Sequence, residues 1–197
     1  MKIFDCFMYF NEDVLLDLRL NVLDKYVDYF VIVESSFTHK GDKRKLHFDN
    51  KKFEKFKNKI IYLVYDNMPK DVDEVLIEDH EDIKSKKYIL NSILRENGQR
   101  NFIINGLKDA NEEDLVLISD VDEIPNLENV EISKIDQKII MFKQEMFYYK
   151  FNLKLPKFFW TGTRACKKKY LRSPQWLRNI KVKKYSLFRL DVLFSET

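Results

Sequence analysis

The chain has 197 residues, of which 45% are hydrophobic and 14% aromatic, and this composition excludes an intrinsically disordered protein. Its length is sufficient for one domain with a sizeable buried core, so residues 1–197 are interpreted as a single domain. Only 4 glycines occur, which excludes collagen-like sequences, flexible linkers and Gly-rich phosphate loops. The 35 basic and 32 acidic residues are interspersed and give a formal charge of +3, so no nucleic-acid partner is expected.

The first 120 residues alternate between strand and helix patterns. Residues 3–10 are aromatic and apolar and predict a buried strand, after which Asn11 is expected to cap a helix. Leucines at helical spacing predict that this helix covers residues 12–26. Three further apolar runs predict strands at 29–33, 60–64 and 115–118. Strands that alternate with helices indicate a mostly parallel sheet with helices on both faces.

Residues 81–108 form the longest helical pattern, interrupted by a polar block at 95–101. Six apolar side chains of this segment are predicted to face the core: Tyr88, Ile89, Ile93, Ile103, Ile104 and Leu107. The second half is more irregular and β-rich, with strands predicted at 139–142 and 146–151. The predicted fold class is therefore α/β, with a Rossmann-like, mostly parallel central sheet flanked by helices.

The two cysteines and the N-terminus suggest a compartment. Cys6 and Cys166 lie outside any Cys-x-x-Cys pair, which favours free thiols in a reducing environment. No apolar run approaches the ~18 residues of a membrane span. The first strand begins at residue 3, which leaves no space for a signal peptide. A cytoplasmic location, or one peripheral to a membrane, is expected.

The sharpest chemical signal is Asp120-Val121-Asp122, which follows the buried strand at 115–118. Ligand sites of open α/β sheets lie at the carboxyl ends of the strands. In extended backbone, residues two apart point to the same side, so both carboxylates could bind one Mn²⁺ or Mg²⁺ ion. Acids after strands are also common as turn formers or helix caps, and the tripeptide alone leaves both interpretations open.

Several segments in order resemble glycosyltransferase family 17, over most of residues 3–180. They are 4–12 (FDCFMYFNE), 15–20 (LLDLRL), 27–35 (VDYFVIVES), 99–101 (QRN) and 118–125 (ISDVDEIP). The resemblance implies a GT-A fold and a divalent metal. It also implies inverting transfer from a UDP-sugar, UDP-GlcNAc or UDP-Glc, to a hydroxyl group of a glycan or glycoconjugate acceptor. Oligomeric state is left open.

The resemblance also implies roles at the ends of the first strands. Asp122 is the expected direct metal ligand, and Asp120 joins it at the metal or binds the ribose. Glu34 occupies the place where GT-A enzymes commonly have an acid against the uracil edge, and Phe10 and Asn11 end the strand that often contacts uracil. The alternatives are a solvated acid at Glu34, a core aromatic at Phe10 and a helix cap at Asn11.

Four more residues are candidates for the same site. Gln99 and Arg100 interrupt the apolar pattern of the long helix, and a guanidinium there could pair with a diphosphate; a solvated helix face is the alternative. Trp160 is a candidate platform for a sugar ring, or a core tryptophan. Glu145 is the candidate base that deprotonates the acceptor hydroxyl.

The sequence departs from the family pattern near its end. Residues 187–197 do not contain the late Trp-His segment of family members, and in GT-A enzymes a late histidine often completes the metal site. Weaker metal binding and slow turnover are therefore expected. The alternatives to a working transferase are a catalytically weak sugar-nucleotide-binding protein and a nucleotidyltransferase. The low glycine content disfavours the nucleotidyltransferase, because such enzymes normally bring a Gly-rich phosphate loop.

Overall fold

A computed structural model describes residues 1–128, 130–150 and 152–181 of the chain. The strands are β1 (Ile3–Tyr9), β2 (Tyr29–Ser35), β3 (Ile60–Tyr65), β4 (Leu115–Asp120), β5 (Ile139–Met141), β6 (Gln144–Phe147), β7 (Lys154–Trp160) and β8 (Arg164–Lys167). The α-helices are α1 (Asp13–Leu23), α2 (Glu81–Asn101) and α3 (Pro174–Asn179). Short 3₁₀ helices cover Glu54–Phe56, Phe102–Leu107, Ile132–Lys134 and Lys168–Tyr170.

Six strands form one sheet in the order β3-β2-β1-β4-β8-β5. The first four are parallel, β8 is antiparallel to β4, and β5 is antiparallel to β8. Strands β6 and β7 form a separate antiparallel pair. The predicted α/β class with a mostly parallel sheet is therefore confirmed.

Helices cover both faces of the large sheet. On one face, three leucines of α1 pack against aromatic and aliphatic strand residues: Leu16, Leu20 and Leu23 against Phe7, Phe30, Ile32 and Leu117. On the other face, the 3₁₀ helix Phe102–Leu107 and α3 pack against the sheet: Ile103, Leu107 and Leu177 against Val31, Val116 and Ile118. All of these side chains are almost completely buried, which makes the sheet the centre of the core.

The strand order reverses direction beside β1. From β1 the chain moves outward to β2 and β3, and then returns to place β4 on the opposite side of β1. The strand order therefore changes direction between β1 and β4, which makes the carboxyl ends of these two strands the switch point of the sheet. In open α/β sheets this switch point is where ligands bind.

The first helix begins later than the sequence predicted. Glu12, not Asn11, is the residue before α1, and its side chain makes no capping hydrogen bond to the helix. Its carboxylate instead accepts the backbone N–H groups of Phe10 (2.9 Å) and Asn11 (3.0 Å). The prediction that Asn11 caps the helix is therefore wrong, because the acid one residue later takes the backbone donors of this turn.

The long helix differs from its sequence interpretation. Of the six predicted core residues, Ile103 and Leu107 are buried, but Ile89 is 61% and Ile93 45% exposed, and Tyr88 and Ile104 are exposed as well. The polar block does not interrupt α2, which continues to Asn101 and buries Gln99 and Arg100. Polar side chains therefore replace apolar ones on the inner face of α2, because this face adjoins the candidate site described below.

The second half is β-rich as predicted, with different boundaries. The strand predicted at 139–142 is β5, but the one predicted at 146–151 lies earlier, as β6, and Phe151 is outside the described residues. Residues 187–197 also lie outside them. Across 1–128, 130–150 and 152–181, no helix combines the length and hydropathy needed to cross a bilayer. Cys6 and Cys166 are buried free thiols, and burial raises the pKa of Cys166 to about 12.

Candidate active site

A tight turn follows β4 and contains the two candidate metal ligands. The strand continues two residues beyond its predicted end, to Asp120. The backbone N–H of Glu123 donates to the Asp120 carbonyl (3.0 Å), and that of Ile124 donates to the Asp122 carbonyl (3.2 Å). Asp122 therefore lies in a turn, and the prediction that both aspartates share one side of an extended strand is wrong. The turn, rather than the pleat, brings both of them to one cavity.

A buried arginine fixes the backbone of this turn. Arg19 of α1 and Asp5 of β1 are both fully buried, and the Arg19 Nε and Nη2 atoms donate to the two Asp5 carboxylate oxygens (2.8 and 2.6 Å). Arg19 Nη1 donates to three turn carbonyls, those of Asp120 (3.0 Å), Val121 (3.2 Å) and Glu123 (3.0 Å). One guanidinium thus joins β1, α1 and the turn after β4.

Sequence reasoning missed Arg19 and Asp5, although a signal was present. Asp5 lies inside an otherwise apolar strand, and Arg19 lies on the apolar side of its helix, three residues after Leu16 and four before Leu23. A charged residue at a core position of a helical pattern requires a buried partner of opposite charge. Two such residues in neighbouring elements therefore predict a buried ion pair.

Asp120 lies between two arginines. Its Oδ1 accepts a hydrogen bond from Arg100 Nη2 (3.0 Å), and its Oδ2 accepts one from Arg178 Nη2 (2.7 Å). Burial alone would raise the pKa of Asp120, but the charges and hydrogen bonds of Arg178 and Arg100 outweigh it and lower that pKa below its ordinary value. Asp120 is therefore an ionised carboxylate already joined to two cations.

Glu123 extends this network on its other side. The residue is buried, and its Oε2 accepts the backbone N–H of Asp120 (2.9 Å). Its Oε1 accepts hydrogen bonds from Trp160 Nε1 (2.6 Å) and Arg178 Nη2 (2.8 Å). Glu123 thereby positions Trp160, at the end of β7, beside Asp120. Sequence reasoning assigned no role to Glu123 or Arg178.

Asp122 differs from both of its acidic neighbours. Within the described part of the chain, no side chain donates a hydrogen bond to its carboxylate, and the residue is exposed. Partial desolvation, followed by the negative charges of Glu123 and Asp120, raises the pKa of Asp122 above its ordinary value. An additional cation beside Asp122 would relieve this repulsion.

A cavity of about 790 Å³ opens beside the turn. Its lining combines the acids and Arg178 with one face of the β6–β7 pair: Leu15, Asp120, Asp122, Glu123, Gln144, Glu145, Met146, Phe147, Tyr149, Lys150, Trp160 and Arg178. Four of the predicted site residues thus lie around one space: Asp120, Asp122, Glu145 and Trp160. The Glu145 carboxylate forms an ion pair with Lys154 Nζ on the neighbouring strand.

The other predicted site residues lie outside this cavity. Arg100 is buried and contacts the site through Asp120, while Gln99 donates from its Nε2 to the Val33 carbonyl (2.9 Å). Phe10 and Asn11 are exposed at the carboxyl end of β1, and the Arg44 guanidinium stacks on the Phe10 ring at 3.9 Å. Their proposed nucleotide contacts stay predictions.

Glu34 is fully buried and its carboxylate is occupied by protein groups. It accepts the backbone N–H groups of His47 (2.7 Å) and Phe48 (3.1 Å) and the hydroxyl of Tyr62 (2.8 Å). It also forms an ion pair with Arg44 at 3.0 Å. A uracil ring could reach Glu34 only if some of these partners moved, and the predicted base contact stays a prediction.

The donor set fits a divalent metal only in part. In the described ranges, no group of three or more His, Cys, Asp or Glu side chains is arranged to hold a metal ion. Asp122 alone offers a carboxylate without a side-chain donor, facing a cavity and repelled by neighbouring acids. Such a site fits Mn²⁺ or Mg²⁺ when the remaining oxygen ligands come from a diphosphate and water.

Comparison with known proteins identifies the family of the chain. The sequence model of glycosyltransferase family 17 matches residues 1–184, which is most of the chain. The chain belongs to glycosyltransferase family 17. This match confirms the resemblance noted in the sequence.

The chain is similar to beta-1,4-mannosyl-glycoprotein 4-beta-N-acetylglucosaminyltransferases from three mammals. It is 31% identical to the Homo sapiens and Rattus norvegicus proteins and 30% identical to the Mus musculus protein, each over 126 residues. The match covers 61% of this chain and 21% of each relative, so it spans about a fifth of their length. No solved structure matches the chain significantly.

Proposed function

We propose that this family 17 chain has a GT-A fold and transfers a sugar from a UDP-sugar, UDP-GlcNAc or UDP-Glc, to a hydroxyl of a glycan or glycoconjugate, with inversion and with Mn²⁺ or Mg²⁺. The observation that carries the proposal is Asp122, a carboxylate to which no side chain of residues 1–128, 130–150 and 152–181 donates, in a cavity of about 790 Å³ at the switch point of the sheet. The names of the mammalian relatives, which describe N-acetylglucosaminyl transfer, support the choice of donor.

The cavity wall carries both a carboxylate, Asp122, and a guanidinium, Arg178, and we propose that both act on the diphosphate of a nucleotide-sugar. A divalent metal would neutralise the charge that develops on the departing diphosphate. Asp122 would hold that metal, and Arg178 presents a second positive charge at the cavity wall. Because Asp120 and Glu123 both accept from Arg178, its guanidinium is held in one orientation towards the site.

The transfer step requires a base and an aromatic wall. In inverting transfer, the acceptor oxygen attacks the anomeric carbon, the bond from that carbon to the diphosphate oxygen breaks, and UDP departs with the electron pair. Glu145 is proposed to accept the acceptor's proton, because its carboxylate lines the same cavity as Asp122 and Trp160. Trp160, oriented by Glu123, provides a flat surface for a sugar ring.

The proposal is tested by calorimetric titration of UDP into the protein with Mn²⁺ and with EDTA. We expect Mn²⁺-dependent binding, and we expect Asp122→Asn to weaken it at least about tenfold, because hydrogen bonds and contacts to a charged ligand contribute about 1.5–3 kcal/mol. Asp82→Asn is the matched control, because the Asp82 side chain is 97% exposed on α2, away from the cavity. Equal UDP affinity in Mn²⁺ and EDTA would contradict the metal role.

Turnover separates an enzyme from a binding protein. Release of UDP from UDP-GlcNAc and UDP-Glc, and transfer to an oligosaccharide acceptor, are measured on the same preparation. Binding without hydrolysis or transfer would support the alternative of a catalytically weak sugar-nucleotide-binding protein. Release of pyrophosphate from UTP in the presence of a sugar 1-phosphate, with no release of UDP from either UDP-sugar, would identify a nucleotidyltransferase.

A further inference from the structure

The two-stranded sheet and its turn form a hairpin with an unusual composition. Residues 143–150 and 152–160, called the aromatic hairpin below, contain six aromatic residues, four lysines and one glutamate. Its strands β6 and β7 pair with each other rather than with the six-stranded sheet. The hairpin therefore projects beside the core instead of contributing a strand to it.

The hairpin exposes its apolar side chains instead of burying them. Tyr149 is fully exposed at the turn, Phe159 is 59% exposed and Leu153 is 49% exposed. Phe147, Tyr148, Phe158 and Trp160 are also exposed. Seven large exposed apolar side chains in so short a segment favour an interaction site.

The backbone of the hairpin, at Tyr149 in the turn and at Lys157 in β7, supports this interpretation. Tyr149 has φ 54° and Lys157 has φ 61°, a left-handed conformation that side chains of this size rarely adopt. Glycine or asparagine would adopt it at lower cost. The sequence instead retains an aromatic side chain at the most exposed position of the hairpin, which indicates that the side chain itself is used.

We propose that the aromatic hairpin docks on an anionic membrane surface. Tyr and Trp rings favour the interface between headgroups and acyl chains, and Phe and Leu side chains insert below it. Lys143, Lys150 and Lys157 lie among these residues and can extend their ammonium groups to lipid phosphates while their stems lie along apolar surface, whereas Lys154 pairs with Glu145. The excess of lysines over the single acid, Glu145, gives the hairpin the charge that complements such a surface.

The exposed surface of the aromatic hairpin is less suitable for binding a soluble oligosaccharide. A sugar site needs hydrogen-bonding groups beside the aromatic rings, because sugar hydroxyls lose water on binding. The exposed residues Phe158, Phe159 and Leu153 provide none. Since Phe147, Tyr149 and Lys150 also line the cavity, docking would bring the cavity mouth to the bilayer surface.

The test uses the full chain and vesicle flotation, without donor or metal, so that its result is independent of the proposed activity. Vesicles are phosphatidylcholine alone, or phosphatidylcholine with about one third phosphatidylglycerol. We expect binding to the anionic vesicles, weaker binding to the neutral ones, and release at about 1 M salt, where the Debye length falls to about 3 Å. A wild-type chain that does not float with anionic vesicles would overturn the proposal.

Apolar and charge variants of the hairpin locate the contact. Leu153→Ser with Phe159→Ser is expected to lower the vesicle partition coefficient at least about tenfold. The matched control is Ile77→Ser with Ile89→Ser, which removes side chains that are 93% and 61% exposed elsewhere, and it is expected to bind like wild type. Equal losses in both pairs would overturn the proposal.

A second pair of variants tests the charge and does not remove apolar packing. Lys143→Glu with Lys157→Glu is expected to reduce partitioning roughly 25-fold, since each basic residue near the surface contributes roughly fivefold. Lys70→Glu with Lys86→Glu is the control, because both lysines are exposed outside the hairpin. Hairpin variants that float like wild type, or that lose binding to a soluble oligosaccharide and not to vesicles, would overturn membrane docking. A circular dichroism spectrum and a urea unfolding transition like those of wild type, measured in parallel, show that each variant is folded.

Discussion

Glu34 and Asp122 are both acids at the carboxyl edge of the same parallel sheet, one at the end of β2 and the other just after β4. Glu34 is fully buried and accepts two backbone N–H groups, a tyrosine hydroxyl and an arginine. Asp122 is exposed, and no side chain in the described residues donates to it. The first carboxylate is thus fully used within the fold, and the second is not.

The difference shows that position at a strand end does not decide what an acid does. Arg44 and the backbone N–H groups of His47 and Phe48 surround Glu34, so its charge is neutralised by its own loop. At the turn after β4, Arg178 donates to Asp120 and Glu123 instead. Asp122 is therefore left beside two negative charges. An acid that the fold leaves unpaired in a cavity is the better candidate for a ligand-binding residue.

The largest expected effect concerns the arginine beneath the β4 turn. Arg19→Met removes the partner of the fully buried Asp5 and the three hydrogen bonds that Arg19 Nη1 donates to turn carbonyls. Leaving one buried charge without its partner costs about 3–5 kcal/mol, so we expect the free energy of unfolding to fall by this amount. Urea denaturation followed by circular dichroism measures it.

A double variant isolates the charge from the turn contacts. Asp5→Asn in the Arg19→Met background removes the unpaired charge and should restore part of the lost stability, while the turn carbonyls stay without their donor. UDP binding should remain impaired in both variants, because the turn that presents Asp122 is loosened in both. A loss below about 1 kcal/mol in Arg19→Met would show that the turn does not depend on Arg19.

The second largest expected effect is the loss of stability on substitution of Glu34, the buried acid. Glu34→Gln replaces an acceptor-only group by an amide and removes its charge from Arg44, and we expect a loss of about 1.5–3 kcal/mol in unfolding free energy. Since both Glu34 oxygens already have protein partners, we expect UDP and pyrophosphate affinities to change in equal proportion. Chemical denaturation and calorimetry on one preparation measure both quantities.

Two outcomes would change this view of Glu34. A larger loss for UDP than for pyrophosphate would support the uracil contact that the family resemblance implies. Unchanged stability would show that the loop at 44–48 does not need the carboxylate. Glu54→Gln is a suitable control, because the side chain of Glu54 is 62% exposed and pairs with Lys57 at the surface.

The sheet could be predicted from sequence because its signals are local. Apolar runs gave all four parallel strands to within two residues at each end, and the strand-helix alternation gave their parallel arrangement. The position of Asp120 and Asp122 at the carboxyl edge followed directly. Their orientation did not, because it depends on where β4 stops and on the three carbonyls that Arg19 holds.

Long-range partners carried no comparable signal. Arg178 is 58 residues from Asp120 and 55 from Glu123, and nothing in its local sequence indicates that it enters the cavity. On α2, the apolar residues Ile89 and Ile93 predicted an inner face that the structure exposes. The helix turns Arg100 inward instead, because Asp120 and the buried Gln175 provide acceptors for its guanidinium.

The smallest expected effect is a gain in stability at the unpaired acid. The pKa of Asp122 is raised by desolvation and by the charges of Glu123 and Asp120, so its ionised form disfavours the folded state once the pH exceeds its folded-state pKa. Below its unfolded-state value of about 3.9 the group is protonated in both states and contributes nothing. Asp122→Asn should therefore raise the melting temperature at pH 7 by about 1–2 °C in EDTA, and this gain should vanish as the pH falls towards that value.

Differential scanning fluorimetry from neutral to acid pH measures this gain in melting temperature, with Asp82→Asn as control. The same substitution that weakens Mn²⁺-dependent UDP binding would then stabilise the metal-free chain, as expected for an acid kept for a ligand. A lower melting temperature in Asp122→Asn at pH 7 would mean instead that Asp122, like Glu34, has a structural partner in the fold.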